Sequence, residues 1–160
     1  MPTHYICIFS FIFVAMTKNT KTHLIPLKKV YLDSDGIHIL IPSNIGIDSY
    51  FILDTGASKS VIDSAILEHV EYEKIEVELI ESSHIQGMID GEFVQIEKIQ
   101  FGDFICNDFQ AISMSLSHVN SIYSRFIETP IAGLLGGDFF DKYKAVISYA
   151  DMSLCIQNIE

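Results

Sequence analysis

Residues 49–63 read SYFILDTGASKSVID, and an apolar stretch within them ends abruptly on a carboxylate. The side chains of residues 50–53 are aromatic, β-branched or apolar, which is typical of a strand. Asp54 follows at once, with Thr55 and Gly56 directly after it. Gly56 lets the backbone turn with either sign of φ, and Thr55 adds a hydroxyl that can hold a loop by hydrogen bonding. We therefore expect a strand that delivers Asp54 to a tight loop.

An acid at the end of a strand also has an ordinary explanation. Asp and Gly are frequent turn residues, and an Asp side chain can satisfy its own turn. An Asp-Thr-Gly triplet arises by chance in about 3% of chains of this length. Two apolar residues directly before it, Ile52 and Leu53, favour a buried approach that leaves the Asp54 carboxylate in a cleft of low dielectric. The triplet alone leaves both interpretations open.

The length and composition of the chain indicate one mostly β domain. A chain of 160 residues buries roughly 70% of its unfolded surface, which is enough for one core. Hydrophobic residues make up 49% of it, and Ile, Val and Phe are frequent, which favours strands over helices. We place residues 24–158 in one domain, because no linker or low-complexity segment interrupts them, and residues 1–23 in an N-terminal extension.

The charge and the cysteine count exclude several classes of partner. Acidic residues outnumber basic ones by 21 to 10, giving a net charge of −11, and no basic cluster is longer than Lys28-Lys29. Nucleic acid and anionic membranes are therefore not expected partners. The histidines lack metal-ligand spacing, and Cys7, Cys106 and Cys155 suggest neither a disulfide framework nor a zinc site. We expect no metal, no cofactor, and free thiols in a reducing, cytoplasmic compartment.

Residues 5–16, YICIFSFIFVAM, form an apolar segment with more than one interpretation. The segment has about the length of the hydrophobic region of a signal peptide, but the sequence lacks a basic region before it and a small-residue cleavage site. It is also short for a membrane span. We favour Met16 as the true start, followed by an ordinary polar beginning. Secretion or membrane tethering through residues 5–16 is the alternative.

Alternating apolar residues predict a succession of strands and turns from Leu24 onward. The strongest hairpin signal is Asp90-Gly91, a two-residue turn between residues 85–89 and residues 92–101. The sequence alone is also compatible with an ordinary hairpin at the edge of a sheet. The other predicted strands are LIPLKKVYL and IHILIP around an Asp35-Gly36 turn, SYFIL, KIEVELI (residues 74–80), FICNDFQAISMSL after a turn at Gly102-Asp103, residues 131–135, AVISY and SLCIQ.

Two short helices are predicted between the strands. The apolar residues of KSVIDSAILEHV lie near a helical period, which predicts a helix over residues 63–70. A one-turn helix is predicted around residues 138–143, directly after a double glycine. Residues 117–129 show no clear period, and we predict a long connection there.

The stretch FILDTGASKSVID, together with AGLLGGDFFDKYKAVISY, resembles the retropepsin-like aspartic proteases. Residues 52–57 match the family's apolar-apolar-Asp-Thr-Gly-Ala signature. Residues 134–136, with residues 137–140 after them, match its apolar-apolar-Gly segment and the short helix that follows. The motifs are about eighty residues apart, and the Asp90-Gly91 hairpin lies between them, where the family has its flap. The resemblance covers residues 24–158.

This resemblance implies a fold and a set of site residues. The fold is a closed β-barrel with orthogonally packed strands, one or two short helices and a flap hairpin. The site consists of Asp54 as the catalytic residue, Thr55 and Gly56 as its supporting loop, and Ala57, Gly87, Met88 and Ile89 as substrate-binding residues.

The resemblance also implies a homodimer, because the family builds one site from two copies of the motif and this sequence holds one Asp-Thr-Gly triplet. Two copies of Asp54 would then face each other, with Thr55 locking the loops together across the dimer. Two carboxylates about 3 Å apart share a proton. The expected function is an aspartic endopeptidase acting on peptide or protein substrates. The alternative is a non-catalytic module with the same fold that binds peptides or dimerises.

Overall fold

The computed structural model describes residues 20–33, 36–76 and 91–159. These residues form mainly strands, with a 3-10 helix at Ser64–His69 and two short α-helices, α1 (Ser117–Tyr123) and α2 (Gly137–Lys142). The strands are β1 (Thr20–Pro26), β2 (Lys28–Tyr31), β3 (Ile37–Asn44), β4 (Asp48–Leu53), β5 (Val61–Asp63), β6 (Tyr72–Lys74), β7 (Glu92–Phe101), β8 (Phe104–Met114), β9 (Ile131–Leu135), β10 (Val146–Ser148) and β11 (Ser153–Ile159).

Six of the strands close into a barrel, in the order β3-β4-β9-β5-β8-β7. The ring closes where Asn44 of β3 pairs with Gln100 of β7. β2 and β6 lie outside the ring and extend it, since β2 pairs with β3 and β6 pairs with β7. The mostly β fold and the closed barrel that the sequence predicted are confirmed.

The barrel interior is packed with aromatic rings. Phe51 meets Phe101 and Phe109 edge to face, with ring centroids 5.4 and 5.9 Å apart. Phe139 of α2 reaches the same cluster, 5.6 Å from Phe101. Such pairs contribute about 0.5–1.5 kcal/mol each beyond the burial of their surface. Phe139 therefore anchors α2 in the barrel core.

Most of the predicted turns and strands lie where the sequence placed them. β2 and β3 form the first hairpin, β7 and β8 turn at Gly102-Asp103, and β10 and β11 form the last hairpin. Gly102 adopts a φ of +59°, which favours glycine. The helix predicted after the double glycine is α2, and the one predicted over residues 63–70 is the 3-10 helix, whereas residues 61–63 form a strand.

The predicted single strand LIPLKKVYL is wrong, because the chain divides at Leu27 into β1 and β2, which belong to different sheets. Asp35 of the predicted Asp35-Gly36 turn lies outside the described residues.

Two predicted elements lie partly beyond the described residues. The predicted strand over residues 74–80 shares only Lys74 with β6, and residues 75 and 76 lie outside any strand. Residues 77–80 are not among the described ones. The first arm of the predicted Asp90-Gly91 hairpin also lies outside the described residues, and its second arm is β7.

The prediction of a long connection over residues 117–129 is wrong, because this segment contains helix α1. Leu116, Tyr123 and Ile127 are buried in a second apolar cluster, separate from the barrel core. Their spacing suits a helix, but the polar side chain of Asn120 lies on the same face. This interruption obscures the apolar period in the sequence.

The terminal strands form a separate three-stranded sheet in the order β1-β11-β10. β1 begins at Thr20, within the segment predicted as an N-terminal extension. One face of this sheet contributes Ile25, Leu154 and Ile156 to the barrel core. No helix within the three described ranges is both long enough and apolar enough to cross a membrane.

His23 is a buried side chain that connects the terminal sheet to the turn between β7 and β8. Its ring packs on Phe104 with centroids 5.2 Å apart, and its Nδ1 lies 3.0 Å from Oδ1 of Asp103. The two atoms lie close together without hydrogen-bond alignment, since Nδ1 has no aligned hydrogen-bond partner among the described residues. The contact with His23, aided by the charge of Lys21, holds the pKa of Asp103 below its usual range.

Replacing Asp103 with asparagine should change how stability depends on pH at the acid end. A carboxyl whose pKa is lower in the folded state stabilises the fold above its unfolded value, about 3.9 for aspartate, and this contribution is lost as the pH falls through the folded value. The melting temperature of the native chain should exceed that of Asp103→Asn above about pH 4, and the difference should vanish in stronger acid. Thermal unfolding followed by circular dichroism measures this. A difference that stays constant with pH would contradict the prediction.

Candidate active site

The Asp54 loop, residues 54–60, leaves β4 and continues into β5. β9 lies between these two strands, parallel to β4 and antiparallel to β5. Leu53 pairs with Leu135, and Val61 pairs with Leu134, so the end of β9 lies at the mouth of the loop. A third strand thus holds the two arms of the loop apart, and the loop does not close as an ordinary hairpin.

The carboxylate of Asp54 is fixed by its own loop. Oδ1 accepts hydrogen bonds from the backbone N–H of Gly56 at 3.0 Å and of Ala57 at 3.2 Å. A Cβ atom on Gly56 would lie 3.3 Å from this oxygen, which is a tight contact. Within the described part of the chain, no donor meets Oδ2. The half-buried Asp54 is therefore held in one orientation with one oxygen available to another group.

Backbone hydrogen bonds dock the Asp54 loop onto the segment that follows β9. The N–H of Asp54 donates to the carbonyl oxygen of Leu135 at 3.0 Å, and the N–H of Gly137 donates to that of Ala57 at 2.8 Å. These bonds join the two sequence motifs that carried the resemblance. The motifs are therefore two sides of one structure.

Gly136, the glycine of the second motif, is required by close approach of the Asp54 loop. A Cβ atom at this position would lie 2.6 Å from the carbonyl carbon of Lys59 and 2.7 Å from its oxygen. Its N–H donates to Oγ of the buried Ser60 at 3.0 Å. The backbone of this segment packs directly on the loop, which explains why the motif ends in glycine.

Asp138 and Ser60 contribute to the site and were not singled out from the sequence. Oδ1 of Asp138 accepts from the N–H of Ser60 at 2.9 Å and from its Oγ at 2.8 Å. The same oxygen accepts from the N–H of Phe139 at 2.9 Å. An acid directly after a double glycine is the only sequence signal, and it also fits an ordinary helix start.

The buried acid Asp63 fixes α1 to the barrel. Its Oδ1 accepts from the N–H of Leu116 at 3.0 Å and of Ala65 at 3.3 Å, and its Oδ2 accepts from the side-chain amide of Asn120 at 3.0 Å. Asn120 also bonds both backbone groups of Ile131, at 2.8 and 3.0 Å. The start of β9 is therefore fixed by a polar network, and its end by the Asp54 loop.

Three apolar side chains form a row across the strands beside the loop. Ile52 is the register partner of Leu134, which is also the partner of Val61. All three are half-buried, whereas their neighbours Phe51 and Ile62 are fully buried. A partly exposed apolar row next to a carboxylate is suited to contact an apolar side chain of a ligand.

The structure brings together some of the predicted site residues. Thr55 and Gly56 are exposed in the Asp54 loop, and Ala57 is half-buried behind them. Residues 87–89, predicted to bind substrate, lie outside the described residues. In the described ranges, no three His, Cys, Asp or Glu side chains come together in a way that would hold a metal ion.

Comparison with protein families gives a match over the region that contains both motifs. A family described as aspartyl protease matches residues 44–139. No curated protein matches the chain at a significant level.

Two solved structures are similar to this chain at low sequence identity. The first is a retropepsin-like aspartic protease from Rickettsia conorii, with 13% identity and a TM-score of 0.48 over 91% of this chain and 97% of that chain. The second is the retroviral protease-like domain of Ddi1 from Leishmania major. It has 15% identity and a TM-score of 0.48 over 75% of this chain and 88% of that chain.

Proposed function

The chain belongs to the aspartyl protease family, and from this premise we propose that it hydrolyses peptide bonds as an aspartic endopeptidase. The family match spans more than half of the 160 residues and covers the first motif and the second as far as residue 139, which confirms the resemblance to aspartic proteases. The single observation that carries the proposal is the orientation of Asp54. Two backbone N–H groups hold one carboxylate oxygen, and no described donor occupies the other.

The proposed mechanism uses two copies of Asp54 at the axis of a homodimer. Two carboxylates close together cannot both ionise at low cost, so they share one proton and titrate as a pair. The ionised member takes a proton from a water between them, while the neutral member donates to the oxygen of the scissile carbonyl. The oxygen of this water attacks the carbonyl carbon, which gives a diol. As the C–N bond breaks, the amine takes the proton that the first carboxylate accepted from the water, and a hydroxyl of the diol returns a proton to the second carboxylate.

The proposal of a homodimer rests on how two other acids of the chain are used. The carboxylates of Asp63 and Asp138 accept hydrogen bonds from neighbouring backbone and side-chain groups. Both acids therefore serve the structure of the chain itself. A second copy would supply the missing carboxylate, and the exposed Thr55 would contact the loop of that second copy. Activity per molecule should accordingly fall on dilution, in parallel with the dimer fraction measured by analytical ultracentrifugation.

The proposed substrate is an extended peptide with large apolar side chains next to the scissile bond. The half-exposed row of Ile52, Val61 and Leu134 beside the Asp54 loop is the basis for this preference. Burying one such side chain contributes about 1.5–3 kcal/mol, which corresponds to a preference on the order of ten-fold or more. We also propose that residues 87–89 contact the peptide, as the family resemblance implies.

A diverse peptide library, incubated at about pH 3 to 8, tests the proposed activity. Mass spectrometry of the products should show cleavage that declines as the pH rises and the shared proton is lost. The cut sites should be flanked by Leu, Phe or Met more often than by Asp or Lys, and a statine-type inhibitor should block cleavage. Peptides that bind but survive at every pH would contradict the proposal and favour the binding module.

A further inference from the structure

Asp138 makes contacts that an ordinary residue at the start of a helix does not make. Of the three donors to its Oδ1, two belong to Ser60 and one to its own neighbour, Phe139. Its Oδ2 also lies 3.1 Å from the N–H of Ser60. The side chain is therefore directed mainly at a residue 78 positions earlier in the chain, at the end of the Asp54 loop.

Ser60 depends on this contact because it is completely buried, with 0% of its surface exposed. Its Oγ donates to Asp138 and accepts from the N–H of Gly136 at 3.0 Å, and its carbonyl oxygen accepts from the N–H of Ile112. Without the carboxylate, a buried N–H and a buried hydroxyl would lose their acceptor, which costs about 1–3 kcal/mol for each group. These two groups regain hydrogen bonds with water if the loop moves and exposes them.

A short chain of contacts leads from Asp138 to the Asp54 carboxylate. Ser60 fixes one end of the loop, and the bond between Gly137 and Ala57 fixes its middle. The N–H of Ala57 then donates to Oδ1 of Asp54. A shift at Ser60 is transmitted over three residues of backbone to one of the two groups that orient this carboxylate.

We infer that Asp138 is a positioning residue for Asp54, and this inference rests on the proposed function. Asp138 acts through Ser60 and the loop backbone and does not contact the substrate. The two copies of Asp54 must meet closely enough to share a proton, so their loops must be placed accurately on both sides of the dimer axis. A displacement of about 1 Å can lower the rate of an enzyme on the order of a hundred-fold.

Kinetics of three variants test the inference. Asp138→Ala removes every acceptor and should lower kcat by on the order of a hundred-fold while KM changes little, because the apolar row that binds peptide remains. Asp138→Asn keeps the Oδ1 acceptor and should recover most of kcat. Asp141→Ala removes an acid of α2 that pairs only with Lys144 in the described chain, and should leave both constants unchanged. Equal losses of kcat in Asp138→Ala and Asp138→Asn would overturn the inference.

Hydrogen exchange gives a second measurement that does not depend on activity. The N–H groups of Gly56 and Ala57 should exchange faster in Asp138→Ala than in the native chain, whereas amides of the β7–β8 hairpin should keep their protection. In Asp138→Asn all of them should stay protected. Unchanged protection of Gly56 and Ala57 in Asp138→Ala would overturn the positioning role. If the native chain cleaves no peptide, the proposed function fails, and the exchange rates still decide whether Asp138 orients the loop.

Discussion

We expect Asp54→Asn to lower the proposed peptide cleavage by at least about a thousand-fold, within the range for removal of a positioned acid–base group. Asparagine has the shape of aspartate, and its Oδ1 can still accept from the N–H groups of Gly56 and Ala57. The loop should therefore keep its structure. An amide neither ionises near neutral pH nor shares a proton with a second carboxylate, so the water between the two copies is no longer activated. Cleavage rates and melting temperatures of the two proteins measure this.

Mixing experiments extend the test to the proposed dimer. An excess of the Asp54→Asn chain should inhibit the native chain, because each mixed dimer holds a single carboxylate. Asp48→Asn is a matched control on the same strand, since the exposed Asp48 bonds Asn44 and should leave cleavage unchanged. Proteolysis that survives in purified Asp54→Asn protein would refute the assignment of Asp54.

Gly133→Ala should lower the free energy of unfolding strongly. Gly133 lies in β9, between the two arms of the Asp54 loop, and a Cβ atom there would lie 2.2 Å from the carbonyl oxygen of Val61 and 2.6 Å from Cε1 of Phe51. The first contact is with backbone, so β5 must move to admit a methyl group. We expect the free energy of unfolding to fall by about 3 kcal/mol, which lowers the melting temperature by roughly 6–12 °C. Urea denaturation at fixed protein concentration measures the change.

Gly137→Ala is the matched control for this prediction. The nearest atom to a Cβ at Gly137 is the carbonyl oxygen of Ala57 at 3.5 Å, which is an ordinary contact. Gly137 is also the first residue of α2, where alanine is well tolerated. The free energy of unfolding should stay within about 1 kcal/mol of the native value. Similar losses in both variants would show that crowding at Gly133 is not the cause.

The elements predicted correctly from the sequence are those built from local patterns. Alternation and the Gly102-Asp103 turn predicted β7 and β8, and the apolar run before Asp54 predicted β4. The Asp54 motif and residues 134–140 identified the family, because each contains a glycine that close backbone approach or a loop oxygen requires. Local patterns suffice to predict such elements, although the contact that requires Gly136 is with a distant residue, Lys59.

The features that the sequence did not predict depend on contacts between distant residues. In the sequence, Asn120 is a polar residue that interrupts an apolar helical period. Its role follows from its hydrogen bonds with Ile131 and with Asp63, which is distant in sequence. Ser60 and Asp138 are likewise unremarkable residue types, and only the pairing of β9 with β4 and β5 brings them into contact. Buried polar side chains follow the partners that they satisfy, and a linear pattern does not contain those partners.

The position of β9 between β4 and β5 also determines when the site can appear during synthesis. A ribosome-bound chain that ends before residue 131 already carries Asp54, but it lacks β9 and the carboxylate of Asp138, which lies 78 residues beyond the Ser60 that it contacts. Contacts of such long sequence separation form late and slowly in folding. The nascent chain therefore lacks the contacts that organise the Asp54 loop until β9 and Asp138 have emerged from the ribosome.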